Sequence, residues 1–195
     1  MSKQLQQKLA NEAARIMTDD GVTDIGTAKK KAMQRLGVKD KHLLPDNIDV
    51  ESALSHYQKL FKPDHLAIRL HDFREIAKNA MQMLEDYSPR LVGSVLRGTA
   101  TESNCVSLHL FTDSPEEIHF LLTDRKIPFV IDESQYQQTR NKTITCPVCR
   151  FFAGDVELKL SIFPYMALRQ APISPLNDKP MKRADLESVK KLISG

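Results

Sequence analysis

Apolar residues in the N-terminal third recur at helical spacing. Leu5, Leu9, Ala13, Ile16 and Met17 mark one stripe, and Asp19-Asp20-Gly21 stops it. A second helix is expected from about Gly26 to Leu36, with Ala28, Ala32 and Leu36 on a narrow apolar face and Gly37 free to take the left-handed closing conformation. Leu44-Pro45-Asp46-Asn47 reads as a turn capping a third helix, whose buried side carries Val50, Ala53, Leu54, Tyr57, Leu60 and Phe61 before Pro63 ends it. A fourth helix is expected from about Asp64 to Asp86, with Leu66, Leu70, Phe73, Ala77, Ala80 and Leu84 inward and Tyr87-Ser88-Pro89 as its close.

Beyond Pro89 the period changes. Leu91-Val92-Gly93 and Cys105 to Phe111 have strand character, and Ser114-Pro115-Glu116-Glu117 reads as a capping box with Pro at the first helical position. Ile127 to Ile131 is expected to be a short strand, Asp132 to Asn141 a polar loop, and Val148 to Ala153 and Val156 to Phe163 a hairpin turned by Gly154-Asp155. The Pro-rich final segment, with Pro172, Pro175 and Pro180, is expected to run extended before a short helix from about Asp185 to Ile193. This order predicts an α+β fold, a mixed sheet packed with helices and preceded by an N-terminal helical region. The expected divisions are a helical region over 1–62, a sheet domain over 63–165 and an extended basic arm over 166–195.

The chain has 195 residues, 28 Lys+Arg and 25 Asp+Glu, three Cys and no Trp. That length is ample for a buried core. No run approaches the roughly 18 to 20 apolar residues of a membrane-spanning helix, and the first residues lack a secretory signal pattern. A soluble, cytoplasmic protein is expected, with no membrane partner. Residues 1–62 carry 11 basic and 8 acidic side chains, residues 63–165 carry 11 and 14, and residues 166–195 carry 6 and 3. An acidic middle thus lies between two basic ends. Lys29-Lys30-Lys31, with Arg35 one turn on, has no interleaved aromatics or groove-reading motif, so nucleic acid is not the expected partner.

The chemistry concentrates between Arg90 and Phe111. A strand runs into Gly93-Ser94, a turn with Gly98-Thr99-Ala100 follows, and a second strand carries Cys105, Ser107 and His109 on one face by alternation. Gly93 permits close approach of the backbone to another group, and Ser94 places a hydroxyl beside helix N-terminal amides. Such a turn suits a phosphate.

This segment resembles the signature of the DNA polymerase β-like nucleotidyltransferase superfamily: Gly-Ser, a Gly-Thr-Ala-like turn, then a strand bearing Asp-x-Asp. The resemblance spans roughly residues 64–163. The whole chain, including the Pro-rich stretch from Leu168 to Arg183, is similar to a bacterial branch of the superfamily with no established substrate. It implies nucleotide binding by Gly93, Ser94, Arg97, Gly98 and Thr99. In that family the paired carboxylates, with a third on a neighbouring strand, hold two Mg²⁺ ions for attack on the α-phosphate of a nucleoside triphosphate. Here the paired positions are Cys105 and Ser107, and a thiol and a hydroxyl are poor substitutes for carboxylates on so hard a cation.

The best counterpart of the third carboxylate is Glu157, alternating with Lys159 and Ser161; the same two charges equally suit a solvated outer face. Glu102, in the turn, is a further oxygen donor. His109 shares the motif face, but no nucleophilic triad accompanies it. Cys146-Pro147-Val148-Cys149 lacks the second half of a zinc knuckle and the strand-to-helix setting of a redox pair, so no zinc is favoured and ordinary apolar cysteines are expected.

The expectation is therefore a nucleotidyltransferase-like, nucleotide-binding protein whose catalytic carboxylates are degenerate, with a sensing or partner-binding role. Two alternatives stand beside it. One is an active Mg²⁺-dependent transferase using Glu157 with an unknown acceptor; the other is an interaction protein that binds a protein partner and no nucleotide.

Overall fold

A computed structural model describes residues 2–61, 63–101, 103–139 and 141–194. Glu102 lies outside the described residues. The chain divides into two compact units: residues 1–69 with 98–104 and 175–177, and residues 70–97 with 105–174 and 178–195.

The first unit is built on α1 (Ser2–Asp19), α2 (Ile25–Arg35) and α3 (Asn47–Phe61). Their facing stripes bury Leu9, Ala13, Ile16 and Met17 with Ala28, Ala32 and Met33 and with Val50, Ala53 and Leu54 in one cluster. Six of the twelve residues in that cluster are alanines, which let the helix backbones approach closely. Asp24 caps α2, its carboxylate accepting from the Thr27 amide at 2.7 Å and from the Thr27 hydroxyl at 2.6 Å. The same bonds hold its carboxyl below the usual range.

The second unit holds a five-stranded sheet in the order β1-β2-β5-β4-β3, from β1 (Arg90–Val92), β2 (Val106–Phe111), β3 (Val130–Thr139), β4 (Lys142–Ala153) and β5 (Val156–Phe163). The central pair β2/β5 is parallel; the other three pairings are antiparallel. Alternation gives the sheet two unlike faces. One presents Val106, Leu108 and Leu110 beside Leu158, Leu160 and Ile162, all buried. Beside the sheet, α4 (Pro63–Met83) buries Phe73, Ala77, Ala80 and Met81, and α6 (Glu116–Asp124) buries Ile118 and Leu122; α5 (Gly93–Arg97) is a single turn between β1 and β2. The other face is apolar at one end, where Phe111, Phe163, Cys146 and Ala167 cluster with Tyr136 and Ile144, and polar at the other.

The α+β fold with a mixed sheet is thus as the residue pattern predicts, and the Gly154-Asp155 turn joins β4 to β5. Three local expectations are corrected. The segment expected as a polar loop from Asp132 to Asn141 is mostly strand: β3 pairs with β4 from Val130↔Arg150 to Thr139↔Lys142. An edge strand is held by its hydrogen-bond ladder and needs no apolar face, and polar edges discourage pairing with other chains. The capping box fails because Pro115 precedes the helix and no side chain caps it. Instead the Thr112 hydroxyl accepts from the Ser114 amide and donates to Glu117. The fourth helix ends at Met83, and Glu85–Tyr87 forms a separate 3₁₀ turn closed by Ser88 at φ +47°.

The C-terminal arm is more ordered than an extended strap. Ala184 exchanges both backbone hydrogen bonds with Leu91, at 2.8 and 2.9 Å, extending the sheet beyond β1 by one bridge. Asp185 then accepts from the Ser188 amide and caps α7 (Leu186–Ser194). Among the described residues no helix is long and apolar enough to cross a membrane.

Removing the α2 cap tests this account of the helical unit. Asp24→Ala should lower stability by about 1 kcal/mol in urea unfolding followed by circular dichroism. Because folding lowers the Asp24 pKa, its contribution is present above the ordinary carboxylate range and fades as pH falls through it; the two proteins should converge in acid.

Candidate functional site

The polar half of the second sheet face collects most of the residues singled out from sequence. Val92 is the register partner of Ser107, so the chain leaves β1 directly beside the motif strand. Gly93 follows with φ +79°, a conformation that a side chain disfavours. A Cβ built there would meet Ser107 Cβ at 3.8 Å and Oγ at 3.9 Å, an ordinary contact. The need for glycine is therefore conformational rather than steric. Ser94 and Arg97 lie in α5, Ser94 half-buried and Arg97 exposed.

On β2, Ser107 is half-buried and its hydroxyl lies 3.5 Å from Cys105 Sγ. The parallel register sets Ser107 beside Lys159 and His109 beside Ser161. Glu157 stands on the same face as Lys159, two residues earlier. Its carboxylate accepts from Arg150 Nη1 at 3.4 Å, while Arg150 Nε reaches Asp132 at 3.2 Å. The sheet face thus brings Gly93, Ser94, Cys105, Ser107 and Glu157 into one neighbourhood, together with Lys159 and Arg150.

Gly98 and Thr99 are placed elsewhere. They belong to the helical unit, where the buried Thr99 hydroxyl donates to Glu51 at 2.8 Å and Gln58 donates to the Ala100 carbonyl at 3.3 Å. Glu51 and Gln58 are seven apart on α3, two turns along one face, and both are buried. The polar groups of the Gly-Thr-Ala turn serve this packing.

His109 is 1% exposed, behind the polar patch. Its ring packs on Phe163 at 4.5 Å and edge-on to Tyr136 at 5.4 Å. Nδ1 accepts from Arg183 Nε at 3.2 Å, which leaves the proton of the neutral ring on Nε2. Burial, and then the charges of Arg183 and Lys159, push its pKa down to about 3. So buried and weak a base is unsuited to general-base work near pH 7. Arg183 itself lies over the Phe111 and Phe163 rings, at 4.9 and 5.5 Å, and donates to the Ala167 carbonyl at 2.9 Å.

Cys146 and Cys149 are three apart on β4, so their side chains leave opposite faces of the sheet. Burial raises both thiols to about 11. Their geometry gives a metal ion no chelating pair.

Sequence reasoning missed the place of Lys159 in this site. The signal was present in the Glu157-Lys159-Ser161 alternation, but only the pairing register shows that the Lys stands beside Ser107. The donor set left on this face, a thiol, a hydroxyl, an ammonium and a carboxylate already bound to Arg150, does not fit a pair of Mg²⁺ ions. No protein-family model matches the chain, and no curated protein matches it.

Protonation of His109 has a measurable consequence. Its pKa in the folded state lies far below the unfolded value of about 6.5, so the unfolded chain binds the extra proton. Stability from this group is complete above pH 6.5 and is lost as pH falls toward 3. Denaturant midpoints measured between pH 7 and 5, above most carboxylate titrations, should decline for the parent protein and decline less for His109→Gln. Gly93→Ala should cost about 1–2 kcal/mol in the same assay through backbone strain alone.

Proposed function

We propose that this chain is a nucleotidyltransferase-like protein that binds a nucleotide on the polar half of its sheet face and does not carry out two-metal nucleotidyl transfer. The observation that carries the reading is the turn at Gly93. The strand end, the left-handed glycine and Ser94 bring main-chain groups against Ser107 without an intervening side chain. A phosphate binds well where a turn aims backbone amides and a hydroxyl at one point, and the left-handed conformation of Gly93 sets such a turn.

The loss of turnover follows from charge. In-line transfer between metal-bound oxygens needs carboxylates to hold the ions. At the paired positions stand Cys105 and Ser107, in contact with each other. Glu157 is drawn to Arg150. Binding without transfer suits a sensing role or one in which nucleotide occupancy governs a protein partner.

Calorimetry of the full chain with ATP, GTP, CTP and UTP, alongside a pyrophosphate-release assay with Mg²⁺ or Mn²⁺, tests this reading. At least one triphosphate should bind, and no pyrophosphate should be released. Ser94→Ala should weaken binding roughly tenfold, in keeping with loss of one hydrogen bond to a charged group, whereas Cys146→Ser should leave it unchanged. Pyrophosphate release would overturn the non-catalytic reading; failure of every triphosphate to bind at millimolar concentration would overturn the nucleotide reading.

A further inference from the structure

Lys159 is a half-buried cation on this face to which no protein group is bonded among the described residues. It projects between Ser107 on one side and Arg150 on the other, as register partner of both. Arg150 is engaged by Asp132 and Glu157. Among the described residues no hydrogen bond or ion pair holds the Lys159 ammonium, although the side chain is half-buried. Burial and the repulsion of Arg150 lower its pKa, and Cys105, Asp132 and Glu157 offset that only in part. Further positive charge stands on the same face: Arg90 is the register partner of His109, and Arg183 bonds His109. A partly desolvated ammonium flanked by a hydroxyl and other cations lacks an anion.

We propose that Lys159 is a phosphate-binding residue, and that this face holds the phosphates of a nucleotide through its ammonium without a divalent cation. The inference rests on the nucleotide reading above and says how that site is charged. A metal-held triphosphate arrives with part of its charge neutralised, and carboxylates on the protein secure the ion. Here the positive charge is supplied by the chain, so the free polyanion is the preferred ligand. Ser107 adds a hydroxyl beside the ammonium, and the Gly93-Ser94 turn approaches from β1.

Titration calorimetry with the full chain at low salt tests this, using ATP in excess EDTA, ATP with saturating Mg²⁺, and inorganic tripolyphosphate in EDTA. ATP should bind at least as tightly in EDTA as with Mg²⁺, and tripolyphosphate should compete with it. Lys159→Met should weaken ATP binding tenfold or more, and Lys159→Arg should restore most of it. Removing an ammonium that folding disfavours should leave the thermal midpoint of Lys159→Met no lower than that of the parent, which separates lost binding from lost folding. The EDTA arm on the parent protein decides even if a variant fails to fold. Binding of ATP that requires Mg²⁺, or that Lys159→Met leaves intact, overturns the inference while the nucleotide reading stands. Lys159-dependent binding of tripolyphosphate with no binding of ATP, GTP, CTP or UTP supports the phosphate site and overturns the nucleotide reading. Failure of tripolyphosphate and of all four triphosphates to bind overturns both.

Discussion

Parallel pairing of β2 with β5 constrains everything else on the sheet. Side chains in register across a parallel pair emerge on the same face, so the six pairs from Val106↔Leu158 to Phe111↔Phe163 sort all twelve residues at once. Three apolar pairs bury one face. The other face carries Ser107 with Lys159, His109 with Ser161, and Phe111 with Phe163. A slip of one residue in β5 would carry Lys159 to the apolar face and bring Leu158 and Leu160 to the polar one. The same register that secures the core therefore fixes the chemistry of the opposite face, a gradient from two phenylalanines through a buried histidine to a half-buried lysine.

That gradient explains why His109 and Lys159 behave so differently on one surface. His109 sits among Phe163, Tyr136 and Arg183, where its neutral form is strongly favoured. Lys159 lies two register steps from the phenylalanine pair, where the sheet face is no longer roofed by the aromatic cluster and a charge is retained. The C-terminal arm contributes to this division. Ala184 is pinned to Leu91 by two backbone hydrogen bonds, and the adjacent Arg183 is held over Phe111 and Phe163. Its guanidinium donates through Nη1 to the Ala167 carbonyl and through Nε to His109, while Nη2 is buried without a partner, so the arm adds positive charge to the face while closing its apolar end.

Much of this was legible in the residues. The alternation of β2 and β5, the Gly154-Asp155 turn and most of the stripes of α1 to α3 follow directly from period and turn chemistry; Leu36, Leu60 and Phe61, expected on those stripes, lie at helix C-terminal ends and are exposed. Polarity misled where structure depends on backbone pairing alone: β3 carries Asp132, Glu133, Gln135 and Gln137 and reads as a loop, yet its ladder to β4 needs none of those side chains. The Pro115 boundary failed for a related reason, because Thr112 and not Ser114 supplies the hydroxyl that meets Glu117. Within the candidate site, Gly93 and Ser107 were found from local pattern because they lie in one short stretch of chain, at the end of β1 and on β2. Gly98, Thr99 and Ala100 lie in the same short stretch of chain, but Glu51 and Gln58, the partners of Thr99 and Ala100, are more than forty residues away, which no local spacing reveals. Lys159 was hidden similarly: its identity was plain, its neighbours were not, since register between β2 and β5 is a non-local property.

The central claim is that phosphate meets this chain on one face of one sheet. Hydrogen–deuterium exchange, compared with and without a saturating nucleoside triphosphate in EDTA, tests it without any substitution. Protection should rise in peptides covering residues 90–97, 105–109 and 156–161, with residues 1–40 and the β3 edge unchanged. Protection confined to the N-terminal helices, or none at β5 under conditions where the nucleotide is bound, would contradict the account.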